Sequence, residues 1–336
     1  MSIFNIFNKF DNKTVTGLTD ELKCIYINNY YDSLNKSVLF VCNSIYESNK
    51  FYQALKNYNE NVLLFPMDDF LTSEVLATSP ELKMTRLETL NKLKNDGNFI
   101  VVTNLMGYLR FLPSKDIFNS SYINLKIGES YDINELSEKL YNIGYSHEIL
   151  INKSGEYAKR GFVIDVYPIN YDNPIRIEFF GDEIESIRKF DVNTQLTIEQ
   201  IDNVSIIPNT EFLGSSTHSN IHRDLIKYTE VYSIKDYKDF TIFYNDLNDI
   251  EISYNNLIND MFEYSVSASL DTNTKYMNEL IVPDNYIDLC SYDSAKDDLV
   301  TYNSYSNNID LSNPETIGKE LHKLLPSKTV IICVSN

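Results

Sequence analysis

Gly155-Glu-Tyr-Ala-Lys-Arg-Gly-Phe-Val-Ile-Asp-Val-Tyr-Pro168 decides how the middle of this chain folds, together with Ile175-Arg-Ile-Glu-Phe-Phe180 and residues 183–188 beyond it. Phe162, Ile164 and Val166 alternate with Val163, Asp165 and Tyr167. Strict alternation is the period of a strand with two unlike faces. Gly181-Asp182 between two such runs reads as a hairpin turn, and Gly161 as a turn or bulge glycine. Residues 148–207 therefore read as an antiparallel meander, with 204–208 as one more strand and a short helix over 133–142 before it.

Upstream, the apolar residues come in short unbroken runs: Val38-Leu-Phe-Val-Cys42, Val62-Leu-Leu-Phe65 and Phe99-Ile-Val-Val-Thr103. Such runs suit strands buried on both faces. A helix over 45–58 lies between the first two. Another is opened by Ser79 as N-cap and Pro80 at the first helical position, and runs to an Asp96-Gly97 turn. Strands alternating with helices predict an α/β layer on a parallel sheet. Residues 1–36 read as one or two helices. Downstream, Thr241-Ile-Phe-Tyr244 is a strand able to return to that sheet. Residues 246–298 hold twelve acidic and two basic residues, a net of −10, and read as a solvated acidic face. A polar linker over 303–313, a helix over 314–325 and a strand over 329–334 follow. Asn336 comes directly after that strand, which needs a parallel neighbour, so a further α/β domain cut short is expected.

A length of 336 residues predicts about two domains. A 43% hydrophobic share argues against wholesale disorder. Lysine and arginine number 29 against 48 aspartates and glutamates, a net charge of −19, which argues against nucleic-acid binding by the surface as a whole. Cys24, Cys42, Cys290 and Cys333 lie far apart, a pattern of buried free thiols in a reducing cytoplasm. His218 and His222 are spaced i,i+4 with no glutamate in an HExxH pattern and no cysteine near, so they read as solvent-facing. Asp68-Asp69 reads as a solvated loop surface. The N-terminus lacks a signal-peptide pattern and no apolar run approaches a membrane span, so a cytoplasmic chain with no membrane partner is expected.

The motifs of the middle segment, in this order, resemble the second domain shared by the excision-repair protein UvrB and the transcription-repair coupling factors. Phe190-Asp-Val-Asn-Thr-Gln195 and Ile206-Ile-Pro208 resemble the coupling-factor family more than UvrB. Phe65-Pro-Met-Asp-Asp-Phe70 and Ser79-Pro-Glu-Leu-Lys-Met-Thr-Arg-Leu-Glu-Thr-Leu90 look like that family's first domain. The resemblance covers residues 38–250. It implies a degenerate helicase-like parallel α/β domain interrupted by a small α+β antiparallel domain. The parts are 1–125 and 212–302 for the α/β domain, 126–211 for a UvrA-binding-type domain, and 303–336 for a linker and the start of a further α/β domain.

A nucleotidase of this kind carries a glycine-rich phosphate loop after its first strand. Here Asn43-Ser-Ile-Tyr-Glu-Ser-Asn-Lys50 follows that strand, with no glycine to bring backbone N–H groups against phosphate. Phe243-Tyr-Asn-Asp246 stands where Asp-Glu would help to hold magnesium, and Asn245 lacks the carboxylate. The stretch from Phe70 to Ser79 is too short for the tyrosine-rich hairpin with which UvrB clamps DNA. Asn43, Ser44, Asn245 and Asp246 are thus expected to mark an inactive nucleotide site, with no catalytic residue, metal or cofactor in this chain.

Arg176, Glu178 and Phe180 share one face of a strand, and Arg160 is expected to open the preceding strand and lie beside Arg176 across the hairpin. On pattern alone, an ordinary Arg176–Glu178 ion pair and a core Phe180 are the simpler reading. The resemblance assigns Arg160, Arg176 and Phe180 to UvrA contact in coupling factors, and Glu178 to a contacting position in UvrB. Ala158 and Lys159 depart from UvrB, which has arginine at the first of them. Asp165 is read as a hydrogen-bonded loop anchor without chemistry. The resemblance implies an N-terminal, non-catalytic module that recruits UvrA to lesions where RNA polymerase has stalled. The remaining domains of the same protein would mask that contact. RNA polymerase and duplex DNA would be engaged through regions beyond residue 336, where ATP and magnesium would drive a translocase. The alternative is a divergent UvrB-type DNA-dependent ATPase.

Overall fold

The computed structural model describes residues 7, 9–11, 13–68, 79–211, 213, 232–267, 279–290, 299–301, 318–319 and 322. Among them, seven strands form one sheet: β1 (Thr14–Thr16), β2 (Ser37–Cys42), β3 (Val62–Phe65), β4 (Ile100–Asn104), β13 (Phe240–Tyr244), β14 (Tyr286–Cys290) and β15 (Leu299–Thr301). Their order is β15-β1-β14-β13-β2-β4-β3. Every neighbouring pair is parallel. Successive side chains of β2 take opposite sides, which is why its run is apolar throughout. Val38, Phe40 and Cys42 pack with Tyr26 and Ile27 of α1 (Asp20–Leu34) and with Phe51 and Leu55 of α2 (Ile45–Lys56). Leu39 and Val41 pack on the other side with Leu87, Leu90 and Leu93 of α3 (Pro80–Leu93). The strand expected at 241–244 lies inside this sheet, between β2 and β14.

The same second core runs on without a break into residues 123–207, through Leu136, Leu140, Ile164, Ile177 and Ile187. There, the helix Ile133–Asn142 is capped by Asp132, whose carboxylate accepts the N–H groups of Asn134 at 2.7 Å and Glu135 at 2.9 Å. A six-stranded sheet follows: β6 (Ser146–His147), β7 (Glu156–Arg160), β8 (Val163–Val166), β9 (Ile175–Phe180), β10 (Glu183–Phe190) and β11 (Thr197–Gln200), side by side in reverse chain order. It is antiparallel except for the short β6–β7 pair. The α/β class with an inserted antiparallel unit stands as the sequence reading had it.

Four details differ. Residues 1–36 were expected to be helical, but Thr14–Thr16 is a strand held on both sides by β14 and β15. A three-residue strand is too short to show a period. The strand expected at 204–208 does not extend the meander. It is β12 (Asn203–Ile206) and pairs with β5 (Ile123–Lys126) as a separate two-stranded ribbon. The acidic 246–298 segment is not wholly a solvated face, since Asp288 is fully buried in β14 and accepts the N–H of Leu247 at 2.9 Å. Ser79 precedes α3 but makes no side-chain cap bond. The expected linker over 303–313, strand over 329–334, His218, His222 and Cys333 lie outside the described residues, as does all of the helix over 314–325 but Gly318, Lys319 and His322.

A buried ionic clasp ties the inserted unit to the α/β body. The Nε atoms of Arg86 (α3) and Arg110 each donate to one carboxylate oxygen of Glu211, and all three side chains are at most 3% exposed. Arg86 also donates to the Pro66 carbonyl at 2.8 Å. One turn back along α3, Lys83 donates to the carbonyl of Asn209 at 3.2 Å. Asn209 in turn donates from its backbone to Ile143 at 2.8 Å. Gly144, at φ +92°, lies under Thr210, whose Cβ an added methyl would meet at 2.8 Å. Among the described residues, no helix is long and apolar enough to cross a membrane.

Candidate docking face

Two of the hairpins that build the face close on two-residue turns, while β8 and β9 are joined by residues 167–174. Gly161 and Gly181 sit at φ +59° and +64°, the left-handed region where a side chain is strained. Nothing else crowds either position, so the dihedral alone explains the glycine. The alternation then sorts the strands. Ile164, Val166, Ile175, Ile177 and Phe179 point into the core. Cross-strand register places Asp165 opposite Arg176, and Arg176 opposite Arg188, on the other face.

Asp165 is the centre of that face. Its side chain is fully buried. Arg176 binds it with two prongs, Nε to Oδ1 at 2.6 Å and Nη2 to Oδ2 at 2.9 Å. Arg160 also donates to Oδ2, from a side chain that is 48% exposed. The Arg176 guanidinium lies 4.4 Å from the Phe190 ring centroid and donates to Gln195 Oε1 at 2.9 Å. The hydrogen bond and charge of Asp165 raise its already high pKa. Glu178 is held separately, by the Ser186 hydroxyl at 2.7 Å and Arg188 Nη2 at 2.5 Å. Phe180 ends the strand with 79% of its surface in solvent.

The structure thus brings Arg160 and Arg176 onto a single carboxylate and leaves Phe180 outside the core. The simple Arg176–Glu178 ion pair is not the one formed, because each has a partner on the neighbouring strand. From sequence, Asp165 carries only a loop-anchoring role, and Gln195 and Arg188 stand within motifs without a role at the site. Asp165 was open to discovery from register: a charged residue between Ile164 and Val166 must face Arg176 once the strands pair.

The other sequence-predicted cluster gathers at the ends of β2 and β13. Ser44 caps α2, its hydroxyl accepting the Glu47 N–H at 3.2 Å. The Asn43 N–H donates to Glu47 Oε2 at 3.1 Å. Asn245 donates from its backbone to the Val41 carbonyl at 2.9 Å, and its Oδ1 accepts Nζ of the buried Lys23 at 2.7 Å. Asp246 follows at φ +65°. Asn43, Ser44, Asn245 and Asp246 therefore come together, but with their neighbours they form a network of bonds to one another. Strand runs into helix cap across one residue, and the backbone donors of Asn43 and Glu47 are already taken by side chains of the same segment. These residues do not fit a nucleotide and its magnesium. Burial pushes the nearby Cys24 thiol up to about 12 and Cys42 well above its ordinary value, so both are protonated.

The UvrB interaction domain family matches residues 123–212, the stretch that carries the whole face. The transcription-repair-coupling factor of Bacillus subtilis (strain 168) is 30% identical over 201 residues, which is 59% of this chain and 17% of that protein. That of Staphylococcus haemolyticus (strain JCSC1435) is 33% identical over 204 residues, 60% of this chain and again 17% of the relative. The match thus spans about a sixth of the relatives' length. Both findings agree with the resemblance read from the motifs: the chain is similar to the transcription-repair-coupling factors, and its residues 123–212 match the UvrB interaction domain family.

Proposed function

We propose that this chain is the N-terminal, non-catalytic module of a transcription-repair coupling protein and that it recruits UvrA through the face centred on Asp165. The observation that carries this reading is two arginines aimed from one buried carboxylate beside a solvent-exposed phenylalanine. Arginine and aromatic side chains supply most of the energy of protein interfaces. In a chain of net charge −19 these arginines are a local exception, suited to a partner that presents carboxylates. The process served is nucleotide excision repair in the cytoplasm, at lesions where RNA polymerase has stalled. The rest of the full-length protein would mask the face by packing, would engage RNA polymerase and duplex DNA, and would use ATP and magnesium. The inward-turned bonds at Asn43 and Asn245 support a non-catalytic role for this part.

Calorimetric titration of UvrA tests the reading. Phe180→Ala and Arg160→Ala are each expected to weaken binding roughly tenfold, with the unfolding midpoint unchanged because both side chains are solvated. Wild-type affinity in both variants removes the assignment of the face. Titration with magnesium ATP is expected to give no saturable heat; a saturable signal overturns the non-catalytic reading and favours a divergent ATPase.

A further inference from the structure

The turn Asp191-Val-Asn-Thr-Gln195 follows the last long strand of the sheet. It is tightly self-bonded. The Asp191 carboxylate accepts the N–H groups of Asn193 at 3.1 Å and Thr194 at 2.7 Å, and the Thr194 hydroxyl at 2.9 Å. The Asp191 N–H donates to the Leu196 carbonyl at 2.9 Å, and the Gln195 N–H to the Asp191 carbonyl at 2.8 Å. These bonds to its charged form hold the Asp191 carboxyl below its ordinary value. The turn ends with Gln195 at φ +60°, a conformation that glycine adopts freely and glutamine does not. Strain of this kind persists where its surroundings enforce it, and it clusters at functional positions.

What the strained conformation secures is the direction of one side chain. Gln195 Nε2 donates to the Val192 carbonyl at 2.8 Å, which fixes the amide and turns Oε1 to Arg176 Nη2 at 2.9 Å. Arg176 is then fixed by Asp165 along one edge, Gln195 at Nη2 and the Phe190 ring. Nε and Nη2 are committed inward. Nη1 is left without a partner among the described residues. A glycine would relax the backbone and lose the acceptor.

We propose that the Asp191–Gln195 turn is a positioning device, with Gln195 as the positioning residue that aims Arg176 Nη1 at the docking partner. A guanidinium immobilised beforehand loses little freedom on binding, so the expected gain is in affinity. The proposal rests on the UvrA-docking reading of this face and adds to it a residue outside the family-derived contact set.

The test is Gln195→Met in the full chain, which keeps the side-chain length and removes both amide bonds. Two readouts are taken: the 15N order parameter of Arg176 Nε in the free protein, and UvrA affinity by calorimetry, with Phe180→Ala as reference. The expected result is a lower order parameter and about tenfold weaker binding at an unchanged unfolding midpoint. An unchanged order parameter overturns the proposal, since Gln195 then positions nothing. A lower order parameter with wild-type affinity also overturns it, while loss of binding in Phe180→Ala shows that the docking face itself stands. Wild-type affinity in Phe180→Ala as well removes the docking reading and this proposal with it.

Discussion

Replacing Glu211 by alanine is expected to destabilise the folded chain by about 3–5 kcal/mol, because it removes the buried carboxylate that two buried guanidinium groups share. Arg86 and Arg110 are almost wholly out of water, and each has its Nε on this carboxylate. Nη2 of Arg86 is buried and has no hydrogen-bond partner among the described residues. Glu211→Gln keeps the shape and an acceptor but not the charge, and should fall between wild type and alanine. Urea unfolding at neutral pH measures the difference. A loss under about 1 kcal/mol in the alanine variant shows that water or a rotamer change relieves the arginines.

The sign of the pH dependence follows from the same group. Burial alone would push the Glu211 carboxyl up. The charges of Arg110 and Arg86 and the hydrogen bonds from both outweigh burial and hold it below its ordinary value of 4.5. A carboxyl lowered by folding adds stability above its unfolded-state value and loses it as pH falls through its folded-state value. The gap between wild type and Glu211→Gln is therefore greatest near neutral pH and narrows below about pH 4.5. A gap that stays constant into acid refutes the assignment of the charge to Glu211.

These two tests concern contacts that no local pattern in the sequence reveals. Glu211 lies 125 residues from Arg86 and 101 from Arg110. What was legible is what local physics writes into consecutive residues. Val62–Phe65 is a strand over the residues expected, because an unbroken apolar run of that length suits a buried strand. Ile133–Asn142 is a helix over the residues expected, with Asp132 supplying its cap. Thr14–Thr16 was hidden for the opposite reason: its neighbours in the sheet lie more than 270 residues further on, and only they make it a strand. The docking face is intermediate. Alternation put Arg176, Glu178 and Phe180 on one side, but the partner of each arginine depended on register between strands.

Asp165→Ala is expected to cost about 2–3 kcal/mol in stability and to weaken UvrA binding roughly a hundredfold, more than the loss of Arg160 alone. The stability cost is set by Arg176, whose side chain is 16% exposed and gives Asp165 two hydrogen bonds. Arg160 adds little to it, since a half-exposed guanidinium regains water. The binding cost is larger because one carboxylate aims both arginines. Without it Arg160 has no ion-pair partner among the described residues, while Arg176 keeps Gln195 and the Phe190 ring. The two losses therefore separate by salt. Freed arginines remain attractive at long range, so association slows little while dissociation speeds up, and the variant's binding depends on ionic strength about as the wild type does. A variant that binds UvrA as tightly as wild type after confirmed folding shows that the arginines act as diffuse charge and not as aimed donors. A variant whose binding falls only as far as in Arg160→Ala shows that Arg176 keeps its direction without Asp165.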